Sequence, residues 1–124
     1  MTDIDPKVKA LKEQMLQKSY YVMFRTVEDR VKISPVLLDH YQWMIRLEKE
    51  NHVLASGPMF KNDGSQGVGM TVFRCGGFAE ADALASQDPF VICGAVSYEV
   101  QRWQINEGRI NVSVDFSDQT YSFS

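Results

Sequence analysis

Between Ser19 and Ile105 the apolar residues keep switching between a period of two and a period near 3.6, and the order of the switches leaves few folds open. "SYYVMFRTV" is rich in aromatic and β-branched residues over a strand-like length and reads as a first β-strand. Ser34 and Pro35 then supply a cap and first turn for "VLLDHYQWMIRLEKEN", where Leu37, Tyr41, Met44, Ile45 and Leu47 hold a helical stripe, predicting a helix from Pro35 to about Asn51. "HVLASGPMF" and "GVGMTVFRC" are two strand-like runs joined by "KNDGSQ", whose Asn-Asp-Gly chemistry suits a turn, so they are expected to pair antiparallel. "FAEADALASQ" predicts an alanine-rich helix that stops at "DPF", because Pro89 disfavours helix at the residue before it. Val96, Tyr98, Val100 and Arg102 alternate with Ser97, Glu99, Gln101 and Trp103 in a last strand. Strand, helix, strand, strand, helix, strand is the order of the α+β ferredoxin-like plait, four antiparallel strands with both helices on one face.

Segments flank this core on both sides. In "DIDPKVKALKEQMLQ", Asp5 is placed to cap a helix, Pro6 to open it, and Val8, Leu11 and Met15 to give it an apolar side. After Asn106, "RINVSVDF" alternates as a further strand, whereas the tail "SDQTYSFS" has no clear pattern. The expected organisation is one domain over 1–124: an N-terminal helix in 1–17, the plait in 18–104 and an extension in 105–124. In the plait the sheet face away from the helices also needs a cover. Tyr20 or Tyr21, Phe24, Met70, Phe73, Tyr98 and Trp103 are the large residues left over for it, and the simplest cover is a second copy, so a homodimer or higher homo-oligomer is expected.

Charge narrows the partners. Net charge is −3, and the 13 Lys and Arg are scattered, leaving no basic field for nucleic acid or an acidic membrane surface. No apolar run is long enough to span a bilayer. Cys75 and Cys93 form no spaced framework and no apolar signal segment lies near Met1, which predicts reduced thiols and a cytoplasmic protein.

Chemistry-bearing residues are few. His40 lies three residues after Leu37 and four before Met44, on the helix side turned to the sheet, while His52 follows the helix end. A histidine there either packs, with its ring nitrogens satisfied by backbone or water, or moves protons. Asp88 has a bland role as the cap of the turn that Pro89 begins. The plait, however, sets the two helices side by side, so Asp88 is also a candidate to hold His40 and fix its tautomer. Ser56, in "ASGP", is a candidate hydroxyl donor to a substrate or leaving group, or simply part of a strand terminus. No metal is expected, since His40, His52, Cys75 and Cys93 show no repeated ligand spacing. "GSQGVG" reads as a turn, not a phosphate loop, with no Lys-Ser/Thr after it and no helix opening there.

Taken together, "DHYQWMIRLEKENHVLASGPMF", "GMTVFRC" and "FAEADALASQDPFVICGAVSYEVQRW" resemble the YciI-like family of small dimeric α+β barrel proteins, over Tyr20 to about Trp103. The shared pattern is a histidine in the first plait helix, a strand with a small-Gly-Pro turn, and an alanine-rich helix closing in Asp-Pro-Phe. His40, Ser56-Gly57-Pro58 and Asp88-Pro89-Phe90 occupy those places. The resemblance implies His40 and Asp88 as an active-site pair. One characterised kind of member is a dehydrochlorinase, which eliminates HCl from a chlorinated hydroxyquinol to give a hydroxybenzoquinone, and the chain resembles that kind. This implies a lyase acting on a small aromatic substrate without a cofactor. Ser56 would then serve the chemistry beside the pair, and Gly57, Pro58, Tyr41 and Phe90 (with Trp43 a further aromatic) would line the substrate pocket. Two other expectations stay open: a dimer that binds a small aromatic ligand without turnover, and a cofactor-free isomerase or oxygenase on the same fold.

Overall fold

The computed structural model describes residues 3–124 and divides the chain into two compact units, Ser19–Trp103 and a second formed by the segment through Lys18 with Gln104–Ser124. The larger unit holds the plait. Strands β1 (Lys18–Val27), β2 (Val53–Phe60), β3 (Gln66–Phe73) and β4 (Val96–Ile105) form one sheet in the order β2-β3-β1-β4, with β3 antiparallel to both β1 and β2. Helices α2 (Ile33–Lys49) and α3 (Phe78–Ala85) pack on one face, and the short α4 (Pro89–Ile92) follows. This is the architecture that the order of periods predicts.

The first helix of the plait starts earlier than Ser34 and Pro35 suggest. Asp29 accepts a hydrogen bond from the Val31 amide at 3.3 Å and opens a 3₁₀ turn over Arg30–Lys32, which runs directly into α2 at Ile33. The chain is thus already turning when it reaches Ser34, so Ser34 is not the cap. Pro35 falls within the first turn, where its missing N–H costs no helical bond. The helix ends at Lys49, and Asn51 takes the left-handed conformation (φ 66°) that lets the His52 amide reach the Leu47 carbonyl at 2.9 Å.

Parity on the strands and spacing on the helices decide the core. Tyr21, Met23 and Phe73 point to the helix face and meet Trp43, Met44 and Leu47 of α2 and Ala81 and Ala85 of α3. The two fully buried alanines, four residues apart, let α3 approach the sheet closely. Burying Phe73 alone is worth roughly 1.5–3 kcal/mol. Two expectations change here. Tyr41 and Ile45 are more than half exposed and Trp43 fills the core in their place, because the buried row of α2 runs through His40, Trp43, Met44 and Leu47. Tyr21, Phe73 and Tyr98, expected on the far side of the sheet, belong to the helix-side core, since they share parity with Met23, Thr71 and Val96. On the far face Tyr20, Val22 and Val72 are buried within the chain itself, while Trp103 is 46% exposed.

In the second unit, α1 (Pro6–Gln14) begins as expected, with the Asp5 carboxylate accepting from the Lys7 amide at 2.8 Å and Pro6 at the helix start. The C-terminal extension is not one strand but two. β5 (Val112–Asp115) and β6 (Thr120–Phe123) pair antiparallel as a separate sheet, closed by a turn in which Asp118 accepts from the amide and hydroxyl of Thr120. No helix among the described residues is long and apolar enough to cross a membrane.

Candidate active site

A cleft of about 710 Å³ lies between α2 and the edge strand β2. One wall is the outer row of α2, where Leu37, Tyr41 and Ile45 follow one another at four-residue steps. The opposite wall is Ser56, Gly57 and Pro58 of β2, a place where proline is tolerated because an edge strand leaves one side of its backbone unpaired. His40, Arg25 and Phe90 also line the space.

Beneath the cleft is a paired polar cluster inside an apolar core. Asp88 is fully buried, and both its carboxylate oxygens are paired. Its Oδ1 accepts from the Phe90 amide at 3.0 Å and faces His40 Nδ1 at 2.8 Å, while Oδ2 accepts from Arg25 Nε at 2.7 Å. The two roles that Asp88 had in sequence are therefore filled at once: it caps α4 and it holds His40. Burial, the largest single influence, would raise the Asp88 carboxyl. The hydrogen bond to His40, the charge of Arg25, the charge of His40 and the hydrogen bond to Arg25 together outweigh it, so the group is held below the usual carboxylate range. Asp88 thus stays an anion, and an anion at Nδ1 selects the imidazole tautomer with its proton on that nitrogen. Nε2 then keeps the lone pair, on a histidine that lines the cleft.

Neighbours restrain the ring. Phe90 stacks on it with centroids 3.9 Å apart and planes 10° from parallel. Tyr41 lies tilted at 5.7 Å and is 56% exposed, so it is free to meet a ligand, whereas Trp43 is buried in the core and does not line the cleft.

Arg25 and Thr71 complete the cluster, and the sequence reading passes over both. Arg25 is only 6% exposed; besides Asp88 it donates through Nη1 to Thr71 Oγ1 at 2.8 Å and through Nη2 to the Met44 sulfur at 3.6 Å. Thr71 Oγ1 in turn lies 2.7 Å from Ser56 Oγ, its cross-strand partner on β2. One signal was available. Arg25 shares strand parity with Tyr21 and Met23, and Thr71 with Phe73, so polar residues at those places had to be buried and paired. The structure thus brings His40, Asp88 and Phe90 into direct contact and places Ser56, Gly57, Pro58 and Tyr41 around the same cleft. His52 stands apart, 3.9 Å from the Glu50 carboxylate. Burial pushes the Cys75 thiol up, which disfavours it as a nucleophile.

The fold and the cleft define a class: small α+β plait proteins with a polar cluster sunk beneath an apolar pocket. The family model described as a YCII-related domain matches residues 19–104, and the chain belongs to that family. No curated protein matches the chain.

Proposed function

We propose that the protein is a cofactor-independent acid/base enzyme that eliminates HCl from a chlorinated hydroxyquinol, with His40 as the base. The observation that carries this is the 2.8 Å contact between His40 Nδ1 and the buried Asp88 carboxylate, on a histidine that lines a largely apolar cleft; in this reading Nε2 takes the proton. The arene first tautomerises to a ketone in which the carbon bearing chlorine is tetrahedral. His40 takes a hydroxyl proton, the released electron pair moves through the ring, and the C–Cl bond breaks to give chloride and a hydroxybenzoquinone. The ring loses two electrons and the departing chlorine keeps them, so no outside oxidant or cofactor is needed. Asp88 positions the base and balances its charge, and Ser56 offers a hydrogen bond to the leaving chloride. Tyr41 and Phe90, beside Gly57 and Pro58, give the aromatic ring its walls. General base catalysis of this kind is worth about a hundredfold to ten-thousandfold.

The test is to incubate the protein with a panel of chlorinated hydroxyquinols and follow free chloride together with quinone absorbance. Wild type should release the two in equal amounts, and His40→Ala should lower the rate by about a hundredfold or more. Undiminished release by His40→Ala would remove His40 from the mechanism. No release by wild type on any member of the panel would rule out dehydrochlorination of this substrate class.

A further inference from the structure

We infer that Arg25 and Thr71 are positioning residues that turn Ser56 into a hydrogen-bond donor for negative charge, so that the Ser56 end of the cleft selects an anionic group on the aromatic ligand. This rests on the proposed function for Ser56's place in the chemistry, but its geometry stands alone.

Thr71 is fully buried and meets no water. Its oxygen already accepts from the Arg25 guanidinium at 2.8 Å. Its own proton has two acceptors: Ser56 Oγ at 2.7 Å, or the Met44 sulfur at 3.7 Å, which is a weak acceptor. If Ser56 donated to Thr71 instead, the Thr71 proton would be left with sulfur alone inside the core. Thr71 therefore donates to Ser56, and a donor fed by a cation polarises the next hydroxyl in the chain. Ser56 then has its proton to give. Within the protein that proton reaches the Met70 carbonyl at a long 3.2 Å or the Met44 sulfur at 3.8 Å, both weaker than the bond an anion in the cleft would make.

The charges lining the cleft agree. Arg25 and Arg30 are its cationic side chains and Glu48 its acidic one, and the Arg30 guanidinium makes no ion pair or hydrogen bond among the described residues, only the Arg30 carbonyl accepting from the Ile33 amide. Asp88, the nearest buried anion, is screened from the Ser56 end because Arg25 lies between them, bound to Asp88 through Nε and to Thr71 through Nη1. A neutral hydroxyl chain without Arg25 would have no preferred direction. With Arg25 at one end it has one, outward to the ligand.

Binding rather than turnover is the test, using 4-nitrophenolate and its neutral analogue 4-nitroanisole, with affinity and the phenolate absorbance band as readouts. Wild type should bind the phenolate more tightly than the anisole and shift its band. Ser56→Ala and Thr71→Val should each reduce that preference by roughly tenfold or more. The double variant should be no worse than either single one, and Thr71→Ser, which restores a hydroxyl, should recover most of the preference. Losses that add in the double variant, or a Thr71→Val protein that keeps the preference, would overturn the chain. If Thr71→Val does not fold, exposed Ser56 carries the test, and a Ser56→Ala protein that still prefers phenolate overturns it equally. A phenolate preference lost in both variants, in a protein that releases no chloride, would keep the donor chain while discarding dehydrochlorination.

Discussion

Two regions of this chain are built from similar amphipathic patterns and end in opposite states. In the plait the patterned residues are buried to the point that Met23, Phe73, Ala81 and Ala85 have no exposed surface, and polar Asp88 and Thr71 are buried with them. In the terminal unit α1 has no buried residue, and on the β5–β6 hairpin the apolar face of Val112, Val114, Tyr121 and Phe123 is 54–72% exposed. Amphipathic periodicity says which side of an element is apolar; only a partner surface turns that side into a core. Where the partner exists, the same burial also gives polar groups their strength. Asp88 is fully buried and Arg25 and His40 nearly so, so each must be paired, and pairing fixes their geometry.

The largest predicted effects break the buried side of this contrast. Asp88→Ala removes the cap of α4 and leaves Arg25 charged and unpaired in the core, at a cost of about 3–5 kcal/mol in chemical denaturation. Phe73→Ala should cost a similar 3–5 kcal/mol through the cavity it opens. A smaller effect is expected from acid. Since folding lowers the Asp88 pKa, its carboxylate stabilises the fold above the ordinary aspartate range, and that contribution is lost as pH falls through the lowered value. Asp88→Asn should therefore flatten the acid limb of the stability curve measured by denaturation at a series of pH values. An unchanged acid limb would mean that other carboxylates dominate it. The smallest change is reserved for the terminal unit: Phe116→Ala, at a side chain 93% exposed, should alter stability by no more than about 0.5 kcal/mol. A loss of several kcal/mol there, in dilute solution, would show that the hairpin's apolar face is covered in the working protein.

Legibility in the sequence followed the same divide. His40 and Asp88 are legible because one sits on a helical stripe and the other before a proline that ends a helix, both local signals. Ser56 was marked by its Ser-Gly-Pro turn. Arg25 and Thr71 are not legible as site residues because a charged or hydroxyl residue inside a strand ordinarily marks the solvent face; only their parity with Tyr21, Met23 and Phe73 carries them inside. The outer row of α2 resembles core for a related reason. Leu37, Tyr41 and Ile45 are as apolar as Met44 and Leu47, but they flank a cleft instead of the sheet. The early start at Ile33 depends on the Asp29 turn, which helix-cap statistics applied to Ser34 and Pro35 do not register.

Central to all of this is that Asp88 holds His40 with its proton on Nδ1 and its lone pair on Nε2. Nitrogen-15 NMR of the ring measures that directly. For neutral His40 the account predicts an Nδ1–H signal, a bare Nε2, and loss of that preference in Asp88→Asn. A neutral ring carrying its proton on Nε2 in the wild-type protein would contradict it.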